Sequence, residues 1–122
     1  MPLECLIVDD SRMVRAIAKN MVEGLGMTVS EAADGREALI QCSHKMPDLA
    51  LVDWNMPVMD GLDFIAAVRA DTKLRAMKIL LCSTEVRLAE VRKAIKTGAD
   101  SYMLKPFNRE ILLHRMRRFG LN

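Results

Sequence analysis

Six side chains carry most of the chemistry this sequence can offer: Asp9, Asp10, Asp53, Ser83, Thr84 and Lys105. Each closes a short, mainly apolar run: Cys5 to Val8, Leu49 to Val52, Lys78 to Cys82, and Tyr102 to Leu104. Three carboxylates gathered in one place would repel, at about 4 kcal/mol for two unit charges ~4 Å apart in an effective dielectric of roughly 20. A cation must offset that repulsion, or a carboxyl pKa must rise. Lys105 supplies one positive charge. A hard divalent ion would supply the rest, and Mg²⁺ suits one or two carboxylates together with phosphate oxygens and water. These are parts for phosphoryl chemistry. A carboxylate can act as nucleophile and become an acyl phosphate, while a lysine, a hydroxyl and a metal ion neutralise the transferred group.

Taken singly, the same residues have plainer roles. Asp10 before Ser11 can serve as a helix cap, Asp53 as a turn residue and Lys105 as a solvated charge. Their joint meaning depends on the elements that place them. The four apolar runs, together with Thr28 to Ala33, read as five strands. Between them lie helical stretches. Ser11 caps the first, on which Met13, Val14, Ile17, Met21 and Val22 recur at helical spacing before Gly24 and Gly26 end it. Asp34-Gly35 is a turn, followed by a helix from Arg36 to Lys45 that stops before Pro47. Met56-Pro57 and Asp60-Gly61 mark a loop before a helix from Leu62 to Ala70. A helix from Val86 to Thr97 stops at Gly98, and Asn108 caps a last one ending near Phe119-Gly120.

Five alternations of strand and helix imply an α/β fold with a doubly wound parallel sheet covered on both faces. All strand carboxyl ends then share one edge, where open α/β sheets bind ligands. The six side chains therefore meet.

Composition narrows the class further. The 122 residues suit one domain, 1–122, and half of them are hydrophobic. No apolar run approaches the ~20 residues of a membrane span, and the N-terminus lacks the pattern of a signal peptide. Cys5, Cys42 and Cys82 are odd in number and without metal-ligand spacing, which suggests buried reduced thiols in a cytoplasmic protein. Residues 86–122 hold 9 Lys/Arg against 3 Asp/Glu, and the rest of the chain 9 against 13. Acidic chemistry lies early and a basic surface late.

With these pieces assembled, the sequence resembles the receiver domains of two-component response regulators, especially the stand-alone chemotaxis type. The resemblance runs through Val8-Asp9-Asp10-Ser11, Asp53-Trp54-Asn55-Met56-Pro57, Met59-Asp60-Gly61, Ser83, Gly98-Ala99 and Lys105-Pro106-Phe107. It implies a flavodoxin-like fold, with a five-stranded parallel sheet in order 2-1-3-4-5 and five helices. It makes Asp53 the phosphoacceptor, and Asp9, Asp10, Asp53 and the main-chain carbonyl of Asn55 the Mg²⁺ ligands. Ser83 and Lys105 go to the phosphoryl oxygens, and the Lys105-Pro106 bond is expected to be cis. The donor would be a histidine kinase, a histidine phosphotransfer protein or a small acyl phosphate. Asn55 and Glu85 would tune the lifetime of the phosphoaspartate. The region around Arg12, Met13 and Arg15 would dock the kinase.

The resemblance also implies a switch rather than an enzyme with an outside substrate. Ser83 moves toward the phosphoryl group, Tyr102 turns inward, and the face of the fourth helix, fifth strand and fifth helix changes shape for a downstream protein. Leu112, Met116 and Phe119 should face the core, with Ile111 and Leu113 outward among arginines. Arg87, Arg92, Lys93, Lys96, Arg109, Arg115, Arg117 and Arg118 form a solvated face or an output surface. Arginine forks would also suit an anionic small molecule such as a cyclic dinucleotide. Two positions depart from the common pattern: Ser83 stands where Thr is frequent, and Thr84 where a smaller residue is usual. The bulk of Thr84 would narrow access to Asp53.

Other functions fit less well. A dehalogenase-like phosphatase needs an acid two residues after its nucleophile, and Asn55 is none. An FMN carrier would not place Asp9-Asp10 against its phosphate. Direct nucleic-acid binding lacks a motif and stacking aromatics. A receiver that docks partners without phosphorylation would not need the full set of site residues. With no output domain after the last helix, the output should be a partner protein, in motility or a relay.

Overall fold

The computed structural model describes residues 2–85 and 87–121. Five strands and five helices alternate: β1 (Glu4–Val8), α1 (Arg12–Glu23), β2 (Thr28–Ala32), α2 (Gly35–His44), β3 (Leu49–Asp53), α3 (Gly61–Ala70), β4 (Lys78–Ser83), α4 (Leu88–Thr97), β5 (Ser101–Leu104) and α5 (Arg109–Arg118). The strands form one parallel sheet in the order β2-β1-β3-β4-β5, as expected.

The core has two layers because the central strands are buried on both faces. Leu6, Val8, Ala50, Val52, Ile79 and Leu81 point to one side, against Phe64, Ile65 and Val68 of α3 and Ala94 of α4. Cys5, Ile7, Leu49, Leu51 and Leu80 point to the other, against Ala18 and Val22 of α1 and Leu112 and Met116 of α5. Each buried Leu, Ile, Val, Phe or Met among them contributes roughly 1.5–3 kcal/mol by its burial.

Local signals set most helix starts. Ser11 Oγ accepts from Val14 N at 3.2 Å, Asp34 Oδ1 from Glu37 N at 2.8 Å, Asp60 Oδ1 from Asp63 N at 2.9 Å and Asn108 Oδ1 from Ile111 N at 2.9 Å. Each satisfies an otherwise unpaired first-turn amide. Helix α4 differs: its N-cap is Arg87, with no side-chain cap. Its expected start at Val86 lies outside the described residues, and the helix is seen from Leu88. A 3₁₀ turn at Thr72–Leu74, which the sequence reading did not anticipate, follows α3 with Asp71 Oδ1 accepting from Lys73 N.

Packing also corrects the phase of α1. Met13 and Ile17, part of the apolar periodicity, are 73% and 59% exposed, while Ala18 and Val22 carry the contact with the sheet. The apolar stripe is wider than the strip the sheet can cover. In α5, Leu112 and Met116 are buried as expected, Phe119 is half-buried, Ile111 is exposed, and Leu113 is half-buried instead of pointing out.

Candidate functional site

Strand register brings the chemistry into line. Val8 pairs with Val52, so Asp9 and Asp53 leave adjacent strands at the same level. Asp53 pairs with Cys82, and Ser83 pairs with Leu104, so Ser83 and Lys105 follow one step further along. Lys105 Nζ donates to Asp9 Oδ2 at 2.6 Å and to Asp53 Oδ1 at 3.0 Å. The Lys105-Pro106 bond is cis, as expected. Beneath Asp53 the chain is tight. Gly61 N donates to Trp54 O at 3.0 Å, and a Cβ on Gly61 would strike the Asp53 carbonyl oxygen. Only glycine allows α3 to start this close to the strand end.

Asp9 is only 4% exposed. Its carboxylate accepts from Ser11 N at 2.9 Å through Oδ1 and from Lys105 through Oδ2. Its amide donates to Ala32 O at 3.1 Å, and its carbonyl accepts from Arg15 Nη1 at 2.7 Å. Asp10, the next residue, is exposed. Carboxylate oxygens from Asp9, Asp10 and Asp53 all lie within 4.8 Å of one another.

One lysine therefore faces three carboxylates. Burial pushes the Asp53 carboxyl above its ordinary range; the hydrogen bond and charge of Lys105 oppose the rise, while Asp9 and Asp10 add to it. Burial works to lower Lys105, but its hydrogen bonds to Asp9 and Asp53 outweigh that and hold the ammonium above its usual value. The donor set is all oxygen, tightly grouped and over-charged, which fits a hard divalent cation such as Mg²⁺. Asp9, Asp10 and Asp53 would hold it. The thiols are unsuited to this chemistry. Burial pushes Cys82 up to about 12 and Cys42 up to about 11, and Cys5 is raised as well. All three are free and buried, as the sequence suggested.

Two openings meet at Thr84. A polar one of about 230 Å³ is lined by Trp54, Asn55, Ser83, Thr84, Glu85, Arg87 and Glu90. Here Glu85 N donates to Ser83 Oγ at 3.2 Å, and Arg87 bridges Glu85 at 3.1 Å and Glu90 at 3.7 Å. An apolar one of about 300 Å³ runs between Val14, Ile17 and Met21 of α1 and Pro106-Phe107, with Thr84 and Lys105 at its end. The exposed Ile17 belongs to this groove. Thr84 stands between the two openings, and Tyr102 is half-buried on β5 against the core layer on the α3 side.

Of the residues singled out in the sequence, Asp9, Asp53 and Lys105 are in direct contact. Asp10 is within reach of them, and Asn55, Ser83, Thr84 and Glu85 line the polar opening. Arg15 differs from Arg12 and Met13, with which the resemblance places it on a docking surface: its side chain is 16% exposed and turned inward, with Nε on Glu31 Oε1 at 3.1 Å. Glu31 had no part in the sequence reading. Its place at the carboxyl end of β2, beside β1, was the signal that could have found it.

The response regulator receiver domain model matches residues 5–117. The chain is 36% identical over 117 residues to the chemotaxis protein CheY of Pseudomonas aeruginosa, covering 95% of this chain and 94% of that one. It is 39% identical over 116 residues to chemotaxis protein CheY1 of Helicobacter pylori, covering 93% and 94%. The structure of Vibrio cholerae chemotaxis protein CheY4 superposes with a TM-score of 0.91 at 35% identity, covering 98% of this chain and 99% of that one. Among the described residues no helix is long and apolar enough to cross a membrane. By sequence family and by fold, the chain belongs to the response regulator receiver domains of two-component signalling.

Proposed function

We propose that Asp53 accepts a phosphoryl group in a Mg²⁺-dependent reaction and that residues 1–122 act as one switch unit. The observation that carries this is the over-charged cluster at the edge of a parallel sheet, three carboxylates with oxygens within 4.8 Å of one another and one lysine, which pairs with Asp9 and Asp53. Asp53 Oδ attacks the phosphorus of a phosphohistidine or a small acyl phosphate. The new O–P bond forms as the P–N or P–O bond to the donor breaks, and the donor leaves with that electron pair. Mg²⁺, when bound, would supply charge neutralisation for the phosphoryl oxygens. Asp9, Asp10, Asp53 and the main-chain carbonyl of Asn55 would hold it. Lys105 and the Ser83 hydroxyl bind the phosphoryl oxygens. Water later reverses the modification past Asn55, Thr84 and Glu85, so these three tune its lifetime. The chain changes its own state and has no separate substrate.

The phosphoryl group draws Ser83 toward it, and Tyr102 follows inward. The face formed by α4, β5 and α5 supports a protein target. Leu88, Ile95, Leu104 and Ile111 are exposed there among Arg92, Lys96 and Arg118. Apolar side chains inside a basic field suit an amphipathic acidic segment. The chemotaxis names of the relatives make motility the first pathway to test, with a histidine kinase or histidine phosphotransfer protein as donor and the cytoplasm as the compartment.

The test is intact-mass measurement after incubation with Mg²⁺ and a small acyl phosphate. The parent is expected to gain one phosphoryl mass, and Asp53→Asn or an EDTA-treated sample none. A parent that gains no mass while binding Mg²⁺ would need a protein donor. A parent that neither gains mass nor binds Mg²⁺ would overturn the proposal.

A further inference from the structure

Asp10 presents a difficulty for the metal site. It is exposed, and among the described residues its carboxylate joins no ion pair, unlike Asp9 and Asp53. Nothing attached to its own side chain aims it. Its backbone, however, is held. The carbonyl oxygen that Arg15 Nη1 grips at 2.7 Å is that of Asp9, and so belongs to the peptide plane joining Asp9 to Asp10. That plane sets where the Asp10 Cα and its side chain emerge. The other half of the guanidinium is fixed by Glu31 Oε1 at 3.1 Å, and Glu31 is anchored in turn, its carbonyl accepting from Gln41 Nε2 at 2.6 Å. Arg15 is thus tied between β2 and the turn after β1, in the first turn of α1.

We infer that Arg15 is a positioning residue for Mg²⁺: it orients the Asp9-Asp10 peptide so that both carboxylates meet the ion, and Glu31 holds it in that pose. This rests on the reading of Asp9, Asp10 and Asp53 as metal ligands. A planar guanidinium suits the task because its two donors lie in one rigid fork, one to the carboxylate and one to the carbonyl. Partners behind a metal's direct ligands commonly change affinity by about 10- to 100-fold when removed.

Charge alone predicts the opposite sign. Arg15 is a cation near a cation site, and deleting it would leave Glu31 as an additional unpaired carboxylate, which attracts Mg²⁺ more strongly. Positioning predicts weaker binding. The two accounts also part over Glu31→Gln. The amide oxygen still accepts from Arg15, so positioning leaves affinity nearly unchanged, whereas a charge effect would weaken it.

The experiment is calorimetric titration of Mg²⁺ into the full metal-free chain, for the parent, Arg15→Ala, Arg15→Lys and Glu31→Gln, with thermal unfolding in EDTA alongside. Arg15→Ala is expected to weaken Mg²⁺ binding about tenfold. Arg15→Lys, which keeps the charge and a single donor centre, should fall between it and the parent, and Glu31→Gln should lie within twofold of the parent. Equal or tighter binding in Arg15→Ala overturns the inference. So does parent-like affinity in Arg15→Lys, a comparison that stands even if the alanine variant unfolds. A parent that takes up no Mg²⁺ would overturn the metal-site reading itself, a result distinct from unchanged affinity in the variants.

Discussion

Two cation–carboxylate clusters sit at opposite edges of the same sheet, and they differ in whether their charges are matched. At the amino edge of β4 and β5, Arg69 Nε donates to Gly98 O at 2.9 Å, Nη1 to Met77 O at 2.8 Å, and Nη2 to Asp100 Oδ2 at 2.9 Å. Asp100 Oδ2 also accepts from Ile79 N at 2.8 Å. One charge meets one charge, and the remaining donors find carbonyls. At the carboxyl edge Lys105 is shared by Asp9 and Asp53, and Asp10 adds a further negative charge. The first cluster has what it needs from the fold. The second lacks positive charge, and burial raises the Asp53 carboxyl instead. A satisfied cluster ties the fold together, while an unsatisfied one waits for a ligand. Backbone strain follows the same division. Val58, in the loop after β3, holds φ at 68° and is 75% exposed, a conformation that a β-branched residue adopts only under constraint.

If the lysine's task is to stabilise charge during transfer, Lys105→Ala should slow phosphoryl uptake from a small acyl phosphate by roughly 10²-fold or more, read from an intact-mass time course. A rate near that of the parent would mean the carboxyl edge works without its one cation. Arg69→Ala should do the reverse. Losing a matched, partly exposed pair together with the carbonyl contacts to Gly98, Met77 and Arg75 should cost about 2 kcal/mol in denaturant unfolding, with uptake unchanged below the transition. Slowed uptake there would show that the amino edge is coupled to the chemistry.

Relief of strain is a smaller effect. Val58→Gly or Val58→Asn should stabilise by about 1 kcal/mol, since both residues tolerate positive φ. No gain in melting temperature would argue that the loop relaxes freely. Smallest is the pH effect. The folded carboxyl of Asp53 has a pKa above that of the unfolded chain, so the folded state keeps a proton the unfolded state has lost. Stability of the Mg²⁺-free protein should therefore fall as pH rises from about the ordinary value of 3.8 through the raised one. Asp53→Asn should remove that part of the slope. An identical slope in both proteins would place the effect elsewhere.

Much of this contrast can be read along the chain. Short apolar runs closed by Asp9-Asp10, Asp53, Ser83 and Lys105 announce both the strands and the edge they share, because a parallel sheet puts every strand's carboxyl end on one side. Helix starts at Ser11, Asp34, Asp60 and Asn108 are equally local, since a cap bonds an amide three residues away. Such signals act within a turn of the chain and survive without knowledge of packing. The tie of Arg69 to Asp100 spans 31 residues, and nothing near either residue marks it. Likewise, helical periodicity places Met13, Ile17 and Arg15 on a helix without stating which strip the sheet covers. Docking α1 against β1 and β2 exposed the two apolar residues and turned the arginine inward to the Asp9 carbonyl and Glu31. Residue types and spacing thus determined the fold class and which polar groups gather at its edge. The tertiary packing chose which polar groups were paired, because pairing depends on distances between segments far apart in the chain.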